Sequence, residues 1–140
     1  MNIVVYRHGD EPYTTDAHRV RDEVFIVEQE VDREEEFEFE EESIHYLLYD
    51  QEQPIATGRW RETDKGIKLE RFAVLKKFRN RGLGGAVLQR ILDDLKGRKE
   101  MLYLHAQLPA IPFYERYGFI KEGDEFIEAE IRHYRMTRPA

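Results

Sequence analysis

The stretch from Phe72 to Leu95 constrains this chain more than any other. Phe72-Ala73-Val74-Leu75 reads as the end of a buried strand, and Lys76-Lys77-Phe78-Arg79-Asn80-Arg81 as a basic turn. Gly82-Leu83-Gly84-Gly85 then opens a helix over Leu83–Leu95, whose Val87, Leu88, Ile91, Leu92 and Leu95 recur on one face. Such a helix must lie on a sheet. Glycines at its start let a ligand approach first-turn N–H groups that lack intrahelical acceptors. Those donors and the positive helix end make an anion site, with Lys76, Lys77, Arg79 and Arg81 adding charge around it. A phosphate-bearing ligand is implied. Spacing narrows the choice. No Lys-Ser or Lys-Thr follows the glycines, as a P-loop needs. Counted from Gly82, the third position of a dinucleotide fingerprint is Val87, too large for that role. What fits is Arg-x-x-Gly-x-Gly, on Arg79, Gly82 and Gly84.

Upstream, Ile3 to Arg7 predicts a first strand, broken by His8-Gly9-Asp10-Glu11-Pro12. Thr14-Thr15-Asp16 offers N-caps for an amphipathic helix with Ala17, Val20, Val24 and Val27 on one face. His45–Tyr49, Ile55–Arg61 and Ile67–Val74 follow closely as strands, and their short turns at Asp50–Pro54 and Asp64–Gly66 imply antiparallel hairpins. Met101 to Ala106 predicts another strand, Ala110 to Tyr117 a short helix closed by Gly118, and Ile131 to Met136 a last strand. The order predicts an α/β fold: a mixed, mostly antiparallel central sheet flanked by helices. With 140 residues and no linker or composition break, residues 1–140 read as one domain.

The formal charge of −7 is local: Glu34 to Glu42 holds seven glutamates and no basic residue, and the other 131 residues sum to zero. Like charges at that density predict an exposed loop or ragged helix, suited to drawing in a cationic acceptor or simply to solubility. An acidic balance argues against nucleic-acid binding. Zero cysteines exclude disulfides, thiolate metal sites and a cysteine-bound acyl intermediate. The 5 histidines include no i,i+4 pair, so no metal is expected. No apolar run approaches the roughly 20 residues of a membrane span, and Met1–Arg7 is too soon charged for a signal peptide. A cytoplasmic protein is the expectation.

A second motif, Phe113-Tyr114-Glu115-Arg116-Tyr117-Gly118-Phe119, follows the Met101–Ala106 strand. With Arg79-x-x-Gly82-x-Gly84 it resembles the F-Y-x-x-x-G-F signature and the acyl-CoA pyrophosphate turn of the GCN5-related N-acetyltransferase (GNAT) superfamily. The likeness extends to the bacterial ElaA/YjcF-like subgroup through Val24-Phe25-Ile26-Val27-Glu28-Gln29, His45, Arg71, His105-Ala106-Gln107 and Glu128-x-x-Ile131-x-His133-x-x-Met136. It covers nearly the whole chain. One departure is Glu130-Ile131-Arg132-His133, where relatives tend to have Gly-Ile-Pro-His.

The resemblance implies the GNAT fold and an acetyl-CoA-dependent N-acetyltransferase, with acetyl-CoA as co-substrate and no metal. It seats the cofactor in a splay between the Phe72–Val74 and Met101–Ala106 strands, with backbone N–H groups near Ala73 and Val74 at the thioester. Arg79, Asn80, Arg81, Gly82, Leu83, Gly84 and Gly85 would hold the pyrophosphate, and His105 and Tyr114 would flank the cofactor. Tyr114 is the implied acid for the CoA thiolate; the alternative is simple packing against Phe113 and Phe119. Glu28, Glu70, His45, His105 and His133 are candidate bases, with Glu28, His45 and His133 ranked first. Imidazole suits proton acceptance near neutral pH, whereas a glutamate must be shifted upward by burial. Glu70 and Arg71, being adjacent, should face opposite sides of their strand. Arg71 either binds an acidic substrate group or pairs with an acidic neighbour. The expected acceptor is a primary amine on a small molecule or peptide. A silent acyl-CoA-binding regulatory module and an interaction domain built on the acidic run are the competing readings. If the chain assembles, a homodimer is the commonest form.

Overall fold

Strands β1 (Asn2–Tyr6), β2 (Ile44–Asp50), β3 (Gln53–Thr63) and β4 (Gly66–Val74) run as an antiparallel meander, as their short turns require. The computed structural model that shows this describes residues 1–32 and 36–140, so Glu34 and Glu35 of the acidic run lie outside the described residues. At the β3–β4 turn Gly66 has φ +130°, and a Cβ there would stand 2.4 Å from the Met101 carbonyl oxygen. Helix α2 (Leu83–Leu95) crosses to β5 (Met101–Gln107), which lies parallel to β4. Helix α3 (Ile111–Glu115), β6 (Ile120–Glu128) and β7 (Ile131–Pro139) complete the chain. The seven-stranded sheet has the order β1-β2-β3-β4-β5-β7-β6, mixed and mostly antiparallel as expected. Six of these strands are legible in sequence; β6 is the exception. It is an edge strand bonded only to β7, most of its residues are exposed, and a register shift between Glu122 and Phe126 breaks its alternation.

Helix α1 (Tyr13–Arg21) begins after Pro12 rather than at the threonines, and Thr14 Oγ1 accepts from the Gly9 N–H at 2.9 Å. Its continuation, Asp22–Glu28, is π-helical: the Gln29 N–H donates to the Val24 carbonyl, five residues back, at 3.2 Å. The changed winding turns Val27 outward to 67% exposure, where an α-helical face would have buried it beside Val24.

The two faces of the sheet are packed by different means. On one, α2 lays Leu83, Val87, Leu88, Ile91, Leu92 and Leu95 onto Tyr46, Leu48, Ile67, Leu69 and Leu102 in a continuous apolar core. Gly58 permits this approach, because a Cβ would stand 2.8 Å from Val87 Cγ1 and 2.9 Å from Phe72 Cε1. On the other, α1 adds only small apolar clusters, Tyr6–Ala17–Leu47–Tyr49 and Val20–Val24–Ala73. Beside them lies a buried ion network. Arg21 donates from Nε to Glu36 at 2.8 Å and from Nη1 to both Glu40 oxygens at 2.8 and 3.0 Å. Arg59 bridges Glu40 to Glu70. The acidic run is therefore not a solvated loop throughout. Glu36 and Glu40 are buried, drawn in by two buried guanidiniums, while Glu38, Phe39, Glu41 and Glu42 remain exposed. An unpaired charge at that depth costs several kcal/mol, so these arginines are what make the burial tenable.

Candidate active site

Strands β4 and β5 pair only at Ile67–Leu102 and Lys68–Tyr103, although both continue well beyond. Between the parted strands lies a cleft of about 700 Å³, bordered by Phe72, Ala73 and Val74 on one side and Leu104, His105 and Gln107 on the other. A bulge shapes the β4 wall. The β3–β4 register shifts between Thr57 and Arg59, and Arg71 takes φ +60° while its carbonyl accepts from Thr57 Oγ1 at 2.9 Å. The bulge also cancels strand alternation, so Glu70 and Arg71 both border the cleft instead of facing opposite sides. Arg71 Nε donates to the Glu36 carbonyl at 2.9 Å. The Leu75 N–H donates to Ile55 on β3 at 3.0 Å; by alternation the Val74 N–H faces the open side.

At the β4–α2 turn, Asn80 with φ +65° and Gly82 with φ +75° curl the chain into the helix. The Ala86 N–H bonds to the Gly82 carbonyl at 3.0 Å, leaving those of Leu83, Gly84 and Gly85 without helical acceptors. Arg79 is anchored through Nε to the Val74 carbonyl at 2.9 Å and through Nη2 to Glu28 at 2.8 Å. A hollow of about 300 Å³ adjoins the cleft here, bordered by Asn80, Gly82, Leu83, Gly84, Gly85 and Arg116. Arg81 borders neither space; its guanidinium lies 5.5 Å from the Phe78 ring. Gly85 serves packing as well, since a Cβ there would stand 2.3 Å from the Tyr117 hydroxyl.

Tyr114, on α3, meets Phe72, Phe113 and Phe119 edge to face. It borders the cleft, and its hydroxyl has no hydrogen-bond partner among the described residues. Burial pushes its pKa up, so it keeps its proton at neutral pH. Across the cleft, His105 Nδ1 lies 3.1 Å from Glu128 Oε1, and His133 Nδ1 lies 2.7 Å from the Ile131 carbonyl. A carbonyl only accepts, so Nδ1 of His133 carries the hydrogen and Nε2 of the neutral ring is a bare acceptor. That Nε2 is 3.9 Å from Glu128 Oε2. Phe126 separates the two imidazoles, edge-on to His105 at 5.0 Å and stacked on His133 at 5.7 Å. The bond from His105 holds the Glu128 carboxyl below the usual carboxylate range. Glu128 belongs to the pattern quoted from the sequence but carries no role there; the pairing of β6 with β7 is what brings its carboxylate beside the two histidines.

Two ranked bases are not brought to the cleft. His45 is sealed in the α1 face, its Nε2 2.8 Å from the Glu40 carbonyl and its ring stacked on Tyr6 at 5.1 Å. Burial pushes it down to about 4. It sits on β2, two strands away from β4. Glu28 is committed to Arg79 and does not border the cleft. His8, His18 and Glu40 offer one ligand atom each within 4.8 Å of one another. Glu40 already accepts from Arg21 and Arg59, so a cation there would face two guanidiniums.

Sheet order, parted strands and glycine turn define the fold of an N-acetyltransferase. The chain matches Escherichia coli ElaA with a TM-score of 0.88 over 99% of both chains at 21% identity. It matches a GNAT family acetyltransferase from Elizabethkingia anophelis, solved with acetyl-CoA bound, at 0.72 and 17% identity over 99% of both. A family model described as the acetyltransferase (GNAT) domain matches residues 10–139, and the chain belongs to that family. It is 41% identical, over 99% of both chains, to YjcF of Bacillus subtilis (strain 168), an uncharacterized N-acetyltransferase.

Proposed function

We propose that this enzyme transfers the acetyl group of acetyl-CoA directly to a primary amine of a small molecule or peptide. One observation carries the reading: a single cleft is bordered by an unpartnered tyrosine hydroxyl on α3 and an imidazole with a bare Nε2 on β7. Acetyl-CoA in the Elizabethkingia relative supports the choice of co-substrate. The pyrophosphate rests on the N–H groups of Leu83, Gly84 and Gly85 with Arg79 beside them, and the pantetheine follows the open edge of β4. The Val74 N–H meets the thioester oxygen as negative charge develops there.

The neutral amine attacks the thioester carbon, forming the C–N bond as the C–S bond breaks. His133 Nε2 takes the proton released from nitrogen, and Tyr114 gives its proton to the departing thiolate. The proton on His133 then returns to Tyr114 through solvent. Glu128, beside both histidines, stabilises the imidazolium in the meantime.

Calorimetry with acetyl-CoA and free-thiol release over an amine panel test this. Tyr114→Phe is expected to lower turnover by about a hundredfold or more while acetyl-CoA affinity is kept. Unchanged turnover removes Tyr114 from the reaction, and absence of acetyl-CoA binding overturns the reading altogether.

A further inference from the structure

Past His133 and Glu128 the cleft continues into a side chamber of about 310 Å³, equivalent to about ten water molecules in volume. Phe25, Val31, Phe39 and Ile131 give it apolar walls. Glu128 and His133 stand on the β6–β7 wall, Arg61, Lys68, Arg71 and Glu70 on the β3–β4 wall, and Glu38 on the segment before β2.

The basic wall carries a surplus. Arg61 Nε and Lys68 Nζ both lean on Glu70, at 3.0 and 3.3 Å. That carboxylate already accepts from Nε and Nη2 of Arg59. Arg59 also reaches Glu40, but Glu40 is met in turn by Arg21. Glu70 is thus shared among more cations than it neutralises; of the three cations that border the chamber, Arg71 is turned to Glu36, and Arg61 and Lys68 are the two left over. Arg61 is held in place by Phe39, its guanidinium 3.9 Å from the ring centroid. The charge of Lys68 also acts on Glu128, so the basic and acidic sides are neighbours.

Resting on the reading of the cleft as an amine acetylation site, we infer that the acceptor is a zwitterion. Its amine faces His133 and Glu128, its carboxylate faces Lys68 and Arg61, and its short apolar body lies against Phe25, Val31, Phe39 and Ile131. The acceptor class is the amino acid. Of the acidic run, Glu36 and Glu40 are spent on arginines in the interior and draw in no cationic acceptor, while Glu38 is exposed and borders the chamber.

The test pairs acceptors that share an amine and differ in one charge: L-leucine against L-leucinamide, and 6-aminohexanoate against its carboxamide. Free-thiol release is followed for each. The carboxylates are expected to exceed their carboxamides in kcat/KM by about tenfold or more, the worth of a hydrogen bond to a charged group. In Lys68→Met that ratio is expected to fall toward one. Equal rates, or preference for the carboxamides, overturn the zwitterion while acetyl transfer stands. A second arm does not depend on turnover. N-acetyl-L-leucine and N-acetyl-L-leucinamide, as product mimics, are titrated calorimetrically into wild-type protein saturated with CoA. Tighter binding of the acid supports the inference, and equal or weaker binding overturns it. If no amine in the panel is acetylated, the transfer reading fails, and the binding arm alone decides whether the chamber selects a carboxylate.

Discussion

Under α2 the sheet is sealed by aliphatic side chains; under α1 it is sealed largely by Arg21 and Arg59 with Glu36, Glu40 and Glu70. The first seal is non-directional and tolerates rearrangement as long as volume is kept. The second depends on donor and acceptor geometry at every link, and a missing partner leaves a charge stranded. Both reach the cleft through their own members, the first through Leu69 and Leu104 and the second through Glu70, with Arg71 reaching back to Glu36. The apolar face holds the fold together, and the charged face adds the geometrically fixed, polar part of the cleft's β4 wall.

The comparison breaks if the two faces respond alike to truncation. Arg59→Met leaves Glu40 and Glu70 short of a partner and is expected to cost about 3–5 kcal/mol. Leu88→Ala on the α2 face is expected to cost about 2–5 kcal/mol through a cavity. Urea unfolding measures both. The distinguishing result is acid dependence: Leu88→Ala should lower stability equally across pH, whereas Arg59→Met should lose most near neutrality and less in acid.

Acid sharpens the contrast further. Burial holds His45 at about 4 in the folded protein, while the unfolded chain takes up that proton near 6.5. Stability is therefore present above about pH 6.5 and lost as pH falls to about 4, by roughly 3 kcal/mol. Burial opposes ionisation of Glu70, but Arg59 and its neighbours outweigh it and hold it at about 2. Its contribution is present above the unfolded carboxyl range and is lost below about pH 4.5. Glu36 runs the other way, since burial outweighs Arg21 and raises it. His45→Gln is expected to flatten the upper window and spare the lower one. A His45→Gln profile with the same slope as wild type from pH 7 to 4 would rule out a buried neutral His45, since the opposing slope of Glu36 is common to both.

A smaller effect belongs to the apolar face. Gly58→Ala drives a methyl against Val87 and Phe72 and is expected to cost about 1–3 kcal/mol by overpacking. Since Phe72 also packs edge to face on Tyr114 at 6.1 Å, kcat should fall with it. Thermal melts and thiol release on the same sample separate the two losses.

The faces also differ in how far sequence reveals them. Helix α2 and the meander are legible because 3.6-residue periodicity and short turns are local signals. The Arg79–Gly84 turn and Tyr114 are legible for the same reason, as compact motifs. The charged face is not. Arg21 and Glu40 meet across 19 residues, and nothing local distinguishes a glutamate that will find a buried arginine from one left in water. The imidazole–carboxylate wall needs β5, β7 and β6 in that spatial order, and β6 has the composition of a loop. His45 shows the converse error: a matching segment says nothing about depth, and depth is what removes it from the cleft.

The gentlest test compares an exposed ion pair with the buried ones. Glu28 and Arg79 are bonded at 2.8 Å, with side chains 29% and 37% exposed, so water and salt screen them. Glu28→Gln is expected to change stability by about 0.2–1 kcal/mol, the range for such pairs. Arg79 keeps its bond to the Val74 carbonyl, so the turn should hold its shape. Freed from a carboxylate, its guanidinium is expected to bind acetyl-CoA a few-fold more tightly, and more so at low salt. Turnover should stay within about twofold, because Glu28 lies outside the cleft and proton transfer is assigned elsewhere. Calorimetry at two salt concentrations with parallel thiol-release kinetics reads all three. A large fall in kcat with acetyl-CoA affinity intact would restore Glu28 as the base and displace His133; tighter binding with kcat preserved makes Glu28 a modulator of the phosphate turn.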